Sequence, residues 1–319
     1  RNHNIIIRNQ SSLSFKLSNN DSLETTLKRT ITDEAFRAMG FPYGSPFRVI
    51  FGPLMSPAAG RFASLLSNVD RDLERYGITE TARKYLPDYV DEVSVRGAEK
   101  IPRHGPLLIA SNHPGTLDAP VIISKLSRED IKLIISGVPV VQSLPGASRY
   151  LIYTPYDDHQ RISVVRAAIR HLKAGGALMI FPTGKLDPDP ACLPGAAEAL
   201  AEWSDSLEIF LRRAPETIVI PTIVSGVFAP STLRNPLTRL RREFWMQQRI
   251  AEYIQVIQMM FFNKKFGLKP RVTFGEPVRA ADIPAESDGG DMMPVIIRAA
   301  QAVLAEHNAC QGSGSGAAN

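Results

Sequence analysis

Between Ser56 and Gly77 the apolar residues Phe62, Leu65, Leu66, Val69, Leu73 and Tyr76 recur at helical spacing, with Ser56 and Pro57 as start signals and Gly77 as the stop. Shorter helical patterns cover about 21–39 and 79–86, so residues 21–87 read as a helical N-terminal region closed near Pro87. From Val93 the texture changes to short apolar runs alternating with helical stretches. Strand candidates are 93–96, 106–110, 131–135, 150–153, 177–181, 217–223 and 271–274. The clearest helix between them spans about 160–174, where Ile162, Val165, Ile169 and Leu172 share a face and Gly175 and Gly176 end it. Further helices fit 118–126, 194–212, 237–265 and 291–306. Alternation of this kind predicts an α/β fold over residues 88–307, a mixed central sheet flanked by helices, with loops after the strands carrying the chemistry. Residues 1–20 and 308–319 read as flexible tails, the second containing the Gly-Ser run of 312–316.

Composition narrows the class. With 44% hydrophobic and 22% charged residues, 24 Pro and 22 Gly, the chain sits among globular proteins rather than disordered or fibrous ones. Its two cysteines, Cys192 and Cys310, lack the close spacing of zinc or redox sites, which argues against a disulfide framework and for a reducing compartment. No apolar run reaches the ~18 residues that cross a bilayer, and the first twenty residues are too rich in Asn and Ser for a secretory signal. The expectation is a cytoplasmic protein, soluble or peripheral on the membrane. A net charge of +5 suits anionic partners such as phospholipid surfaces, acidic carrier proteins or phosphate-bearing substrates, and equally an ordinary surface.

The segment from Pro106 to Asp118, Pro-Leu-Leu-Ile-Ala-Ser-Asn-His-Pro-Gly-Thr-Leu-Asp, runs an apolar strand straight into a polar turn and places His113 at the strand end. Histidine is the side chain best suited to take a proton from an alcohol near neutral pH, given a partner that fixes its tautomer. Asp118 is that candidate, because Pro114 and Gly115 permit a turn tight enough to fold the carboxylate back to the ring. On spacing alone Asp118 reads as well as the N-cap of the next helix, and His113 as an incidental turn residue. Other chemistries fail on their motifs. Gly184-Lys185 lacks the first glycine and the final Ser or Thr of a phosphate-binding loop, and the chain has no Gly-x-Ser-x-Gly, His-Glu-x-x-His or Gly-x-Gly-x-x-Gly motif opening a helix. The six histidines form no ligand spacing, so neither metal nor bound cofactor is expected.

Several blocks, in order, resemble the glycerol-3-phosphate and lysophosphatidate acyltransferase family, the PlsC-like acyltransferases, over roughly residues 93–230. Val95-Arg96-Gly97-Ala98-Glu99-Lys100-Ile101-Pro102, then Gly105-Pro106 and Ser111-Asn112-His113, is similar to the family's first block and includes its Asn-His-x-x-x-x-Asp motif. Gly175 to Gly184, ending Phe181-Pro182-Thr183-Gly184, is similar to the block usually read Phe-Pro-Glu-Gly. Val219 to Gly226 resembles the last block, in which a proline, here Pro221, ends a strand lining the site. The resemblance implies direct acyl transfer, in which His113 deprotonates the acceptor hydroxyl, Asp118 orients His113, and the oxygen attacks the thioester of acyl-CoA or acyl carrier protein, the co-substrate. It further implies substrate contacts at Asn112, Gly115 and Pro221, with backbone amides near Gly115 as candidates for an oxyanion site.

Two departures bear on the acceptor. Where the family commonly has Ile-x-Arg the chain reads Ile152-Tyr153-Thr154, which leaves Arg149 and Arg161 as nearby charges for a phosphate, or as surface residues. Thr183 replaces the usual glutamate and Lys185 follows Gly184; the stretch from Pro182 to Pro190 is similar to one in the soluble plastid-type glycerol-3-phosphate acyltransferases, which makes Thr183, Gly184 and above all Lys185 phosphate-contact candidates. The span 237–265 sets Arg239, Arg241, Arg242, Arg249, Lys264 and Lys265 among apolar residues at helical spacing. It reads either as a helix packed on the core with its charges in water, or as a basic amphipathic helix lying in a membrane interface. Two rivals to a glycerol phosphate or lysolipid acceptor are another lipid or alcohol acceptor, and a non-catalytic lipid-binding protein of the same fold. No feature suggests nucleic acid as a partner.

Overall fold

The computed structural model describes residues 23–38, 47–136, 139–154, 161–238, 244–283 and 292–312. Its strands are β1 (Ser94–Arg96), β2 (Leu107–Ser111), β3 (Ile131–Ser136), β4 (Leu151–Thr154), β5 (Ala177–Ile180), β6 (Ile218–Ser225), β7 (Arg271–Phe274) and β8 (Val278–Arg279). The helices are α1 (Leu23–Ala38), α2 (Phe47–Tyr76), α3 (Ile78–Tyr85), α4 (Asp118–Ser124), α5 (Pro139–Gln142), α6 (Pro145–Ser148), α7 (Arg161–Lys173), α8 (Ala196–Ala201), α9 (Ser206–Arg213), α10 (Phe244–Phe262) and α11 (Met293–Gly312).

Two compact units divide within α2, Arg1–Ala63 and Ser64–Asn319. In the first, α1 and the early turns of α2 bury Leu27, Ile31, Ala59 and Ala63. The expected start of α2 at Ser56 and Pro57 is not where the helix begins; it starts at Phe47 and continues through Pro53 and Pro57. Both prolines are exposed, so carbonyls left without an amide partner can turn to water and the helix survives them.

The second unit is a mixed α/β sheet in the order β1-β7-β6-β2-β5-β3-β4, with β8 also pairing β6. From β6 through β2, β5 and β3 to β4 all neighbours are parallel; β7 and β8 run antiparallel to β6. The central strands are continuous apolar runs, Leu107-Leu108-Ile109-Ala110 beside Ala177-Leu178-Met179-Ile180, as a sheet covered on both faces requires. One face packs Leu108, Leu178, Val219 and Ile223 against Leu172 of α7, Leu200 of α8, Phe210 of α9 and Ile296 of α11. The single helix expected over 194–212 is broken into α8 and α9, because the Ser204 amide leaves the helical ladder to bond the Pro182 carbonyl at 3.2 Å.

At the N-terminal ends of the parallel strands the buried Arg128 guanidinium joins three loops: Nη1 donates to the Gly105 carbonyl at 2.7 Å, Nη2 to the Gly175 carbonyl at 2.9 Å and Nε to Asp130 at 2.8 Å. That end is therefore locked, and the opposite, C-terminal end carries the turn after β2. Ligand sites in open α/β sheets lie at that end.

Candidate active site

The turn after β2 is built by the chain's own polar groups. Asn112 extends the pairing of β2 with β6 beyond the last strand residue: its Nδ2 donates to the Val224 carbonyl at 2.9 Å and its Oδ1 accepts the Val224 N–H at 2.8 Å. Both ends of this buried amide face backbone, so Asn112 fixes the strand end rather than offering a free group to a substrate. The chain then turns through Pro114 and Gly115, the Asp118 amide bonds the Gly115 carbonyl at 3.2 Å, and α4 begins.

This turn brings His113 and Asp118 together. His113 Nδ1 lies 2.6 Å from Asp118 Oδ2, and the Asp118 side chain is 1% exposed. Asp118 also accepts the amides of Gly115 at 3.3 Å and Ala119 at 2.6 Å; it is the first residue of α4, with Leu117 at the cap position, so the N-cap reading does not hold and the imidazole-partner reading does. With Nδ1–H donated to Asp118, the lone pair of Nε2 is the basic site of the ring. The imidazole stacks on Phe181, with ring centroids 4.4 Å apart and planes 25° from parallel. That contact places the Phe-Pro-Thr-Gly block beside the histidine, as adjacency of β2 and β5 requires.

Two further carboxylates hold the turn. Asp187 closes a reciprocal pair with His113: the His113 amide donates to Asp187 Oδ2 at 2.8 Å, and the Asp187 amide to the His113 carbonyl at 2.7 Å. Glu252, on α10, accepts the Thr116 amide at 2.6 Å. A Cβ on Gly115 would sit 3.0 Å from both Glu252 carboxylate oxygens, so any side chain there presses on Glu252. The Gly115 and Thr116 amides, the expected oxyanion donors, thus both point at carboxylates. Asp187 and Glu252 are buried as well.

The electrostatics follow from this ring of acids. Burial disfavours the His113 imidazolium, but Asp118, reinforced by Asp187 and Glu252, outweighs it and raises the pKa above the usual 6.5. Burial pushes the Asp187 carboxyl up to about 6 and raises that of Glu252. Behind the turn, the buried Asp189 carboxylate accepts the amides of Ala191 at 2.9 Å, Gly226 at 2.9 Å, Val227 at 3.1 Å and Phe228 at 3.0 Å, joining the loops after β5 and β6.

The phosphate-contact candidates are placed differently. Gly184 turns with φ +64, the Thr183 hydroxyl donates to the Lys185 carbonyl at 3.0 Å, and the exposed Lys185 ammonium pairs with Glu202. Arg149 is exposed, 3.7 Å from Glu74. Arg161 opens α7, and its side chain lies outside the described residues, as do Arg239, Arg241 and Arg242. Pro221 does not end its strand; β6 continues to Ser225. It pairs in register with Ala110 and falls in the gap between the two antiparallel partners of β6, β8 opposite 218–219 and β7 opposite 222–225, where no ladder amide is required. Its buried carbonyl accepts the Gly275 amide at 2.8 Å.

Sequence reasoning missed Asp187 and Glu252. Asp187 stands in the Asp-Pro-Asp-Pro stretch, where acids alternating with prolines in a loop were the available signal; Glu252, between Ala251 and Tyr253 on a long helix, carries none. Among the described residues no group of three or more His, Cys, Asp or Glu is placed to hold a metal ion, and no helix is long and apolar enough to cross a membrane.

A family model described as acyltransferase matches residues 92–225. No curated protein matches the chain. Among solved structures it is similar to the crystal structure of the 1-acyl-sn-glycerophosphate (LPA) acyltransferase PlsC from Thermotoga maritima, with 16% identity, 90% of this chain and 98% of that chain covered, and a TM-score of 0.45. The span matched by the family model runs from just before β1 to the last residue of β6 and contains His113, Asp118 and Asp187. Over residues 92–225 the chain is thus similar to the acyltransferases.

Proposed function

We propose that the enzyme moves a fatty acyl group from a thioester, acyl-CoA or acyl carrier protein, onto a hydroxyl of a glycerol phosphate or lysophospholipid, with His113 as general base. The observation that carries this reading is the 2.6 Å contact of His113 Nδ1 with the buried Asp118, which leaves Nε2 as the proton acceptor. The acceptor O–H gives its proton to Nε2 as its oxygen forms a bond to the thioester carbonyl carbon. The tetrahedral adduct collapses with loss of the C–S bond, and the imidazolium returns the proton to the leaving thiolate. Asp118 holds the tautomer and stabilises the imidazolium between these steps. Phe181, stacked on the ring, limits its rotation.

Lys185 and Arg149 are exposed cations, and their surface pairs with Glu202 and Glu74 are weak enough to exchange for an acceptor phosphate. The reaction needs no bound cofactor, since the donor enters as co-substrate. A cytoplasmic enzyme, peripheral on the membrane, fits such substrates. The test is release of free thiol from long-chain acyl-CoA and from acyl carrier protein, each offered with glycerol 3-phosphate, lysophosphatidate or a lysophospholipid, and the product identified by mass spectrometry. Acceptor-dependent release with an acylated glycerolipid product is the expected result. Acylation of only a non-glycerol alcohol would move the enzyme to another acceptor class, and release from no donor with any acceptor would overturn the reading.

A further inference from the structure

Helix α10 turns its polar residues inward. Gln248, Glu252 and Gln255, at i, i+4 and i+7, are all buried, and each is tied to backbone: Gln248 Nε2 donates to the Asp187 carbonyl at 2.7 Å, Glu252 accepts the Thr116 amide at 2.6 Å, and Gln255 accepts the Ala229 amide at 2.7 Å while donating to the Val227 carbonyl at 2.8 Å. The opposite side carries Met246, Ile250, Tyr253, Ile257 and Met260, at i, i+4, i+7, i+11 and i+14, with Tyr253 and Ile257 each 47% exposed. Phe262, at the helix end, is 73% exposed. Met246, Ile250 and Met260 are half-buried beside the exposed Tyr253 and Ile257; a helix facing only water has the reverse arrangement, and such an apolar stripe marks a surface that something apolar receives.

Charge selects the occupant. The one carboxylate of α10, Glu252, is buried, whereas Arg249 beside the stripe and Lys264 and Lys265 just beyond it are exposed. Two copies of this face meeting about a twofold axis would bring like charges together, while an anionic bilayer receives both the apolar stripe and the cations. We propose that the outer face of α10 docks the enzyme on an anionic phospholipid bilayer, with Tyr253 and Ile257 entering the boundary between headgroups and acyl chains. The inner face fixes the same helix to the turn that carries His113, so docking sets that turn at the bilayer surface, where a lysolipid acceptor resides. This last step rests on the function proposed above; the docking itself does not.

The experiment compares the whole chain with its Tyr253→Asp/Ile257→Asp variant in co-sedimentation with phosphatidylcholine vesicles containing or lacking phosphatidylglycerol. Wild type is expected to bind the anionic vesicles, more weakly as salt is raised, and the variant to bind them about ten-fold less or worse. Thiol release with a water-soluble acceptor should be unchanged in the variant, with matching thermal melts, while release with a vesicle-borne acceptor falls. Vesicle binding that is absent in wild type, or equal in the two proteins, overturns the proposal. So does a variant that only loses self-association in gel filtration, which would assign the face to a second copy. Binding that falls while neither protein turns over any acceptor leaves docking standing and removes the reaction.

Discussion

Replacing Gly115 with alanine tests whether the turn that holds His113 and Asp118 is fixed from outside by Glu252. The new Cβ would stand 3.0 Å from both carboxylate oxygens and 3.1 Å from the carboxyl carbon, where ordinary contact begins at 3.4 Å, a shortfall of 0.4 Å at each oxygen (3.4 minus 3.0). Glu252 is 4% exposed and accepts the Thr116 amide at 2.6 Å, so it yields only by giving up that hydrogen bond. Overpacking typically costs about 1–3 kcal/mol, and a hydrogen bond to a charged group is worth about 1.5–3 kcal/mol, so a loss of about 2 kcal/mol in urea denaturation is expected. Because His113 and Asp118 flank the turn, a shift approaching 1 Å would lower acyl transfer by about 10²-fold. Shortening the partner with Glu252→Asp removes the obstruction, so the double variant should lose at least ~1 kcal/mol less than the sum of the single losses. Additive losses, or a Gly115→Ala protein as stable and active as wild type, would refute the argument.

In Asp118→Asn the acid limb of the kcat/KM pH profile should move to lower pH and the maximum fall by about 10²–10⁴, since Asp118 is the main group holding the His113 pKa above 6.5 against burial and orienting its ring; an unmoved limb would mean that the titrating base is another group. The raised His113 pKa also contributes stability that is present below about pH 6.5 and lost as pH rises through the folded value, and the same variant should flatten that dependence. His307 has the opposite sign: buried between Ser225 at 2.7 Å and Thr273 at 2.8 Å, it is driven by burial to about 4, so stability falls as pH drops from about 6.5 to 4, by about 3 kcal/mol at most. Urea melts across that window should show the loss in wild type and a smaller one in His307→Asn. Asp189→Ala leaves the amides of Gly226, Val227 and Phe228 without their acceptor and should cost about 3 kcal/mol or more by the same measurement.

The central sheet was legible because its strands are continuous apolar runs such as Leu107–Ala110 and Ala177–Ile180, whose burial on both faces needs nothing beyond local composition. Two-residue β8 carries too little pattern to see, and α5 and α6 are single turns. His113 and Asp118 were legible for a related reason: five residues of chain and a Pro-Gly turn suffice to join them. Asp187 and Glu252 come to the same turn from 74 and 136 residues away along their hydrogen bonds, distances over which no local pattern operates. Helix α10 shows the limit most clearly. Its periodicity announces a helix, but periodicity is blind to sign, and only the loops after β2, β5 and β6, waiting with unpaired amides and carbonyls, decide that the polar side faces in. Asn112, similarly, reads as a site residue from its place before His113, whereas Val224, 112 residues on, occupies both ends of its amide.

The most direct test of the account is acceptor-dependent thiol release from the thioester donor by wild type and His113→Ala at saturating substrates, with thermal melts confirming that both proteins are folded. A fall of about 10²-fold or more is expected in the variant, the usual contribution of a general base. Turnover unchanged in His113→Ala would contradict it.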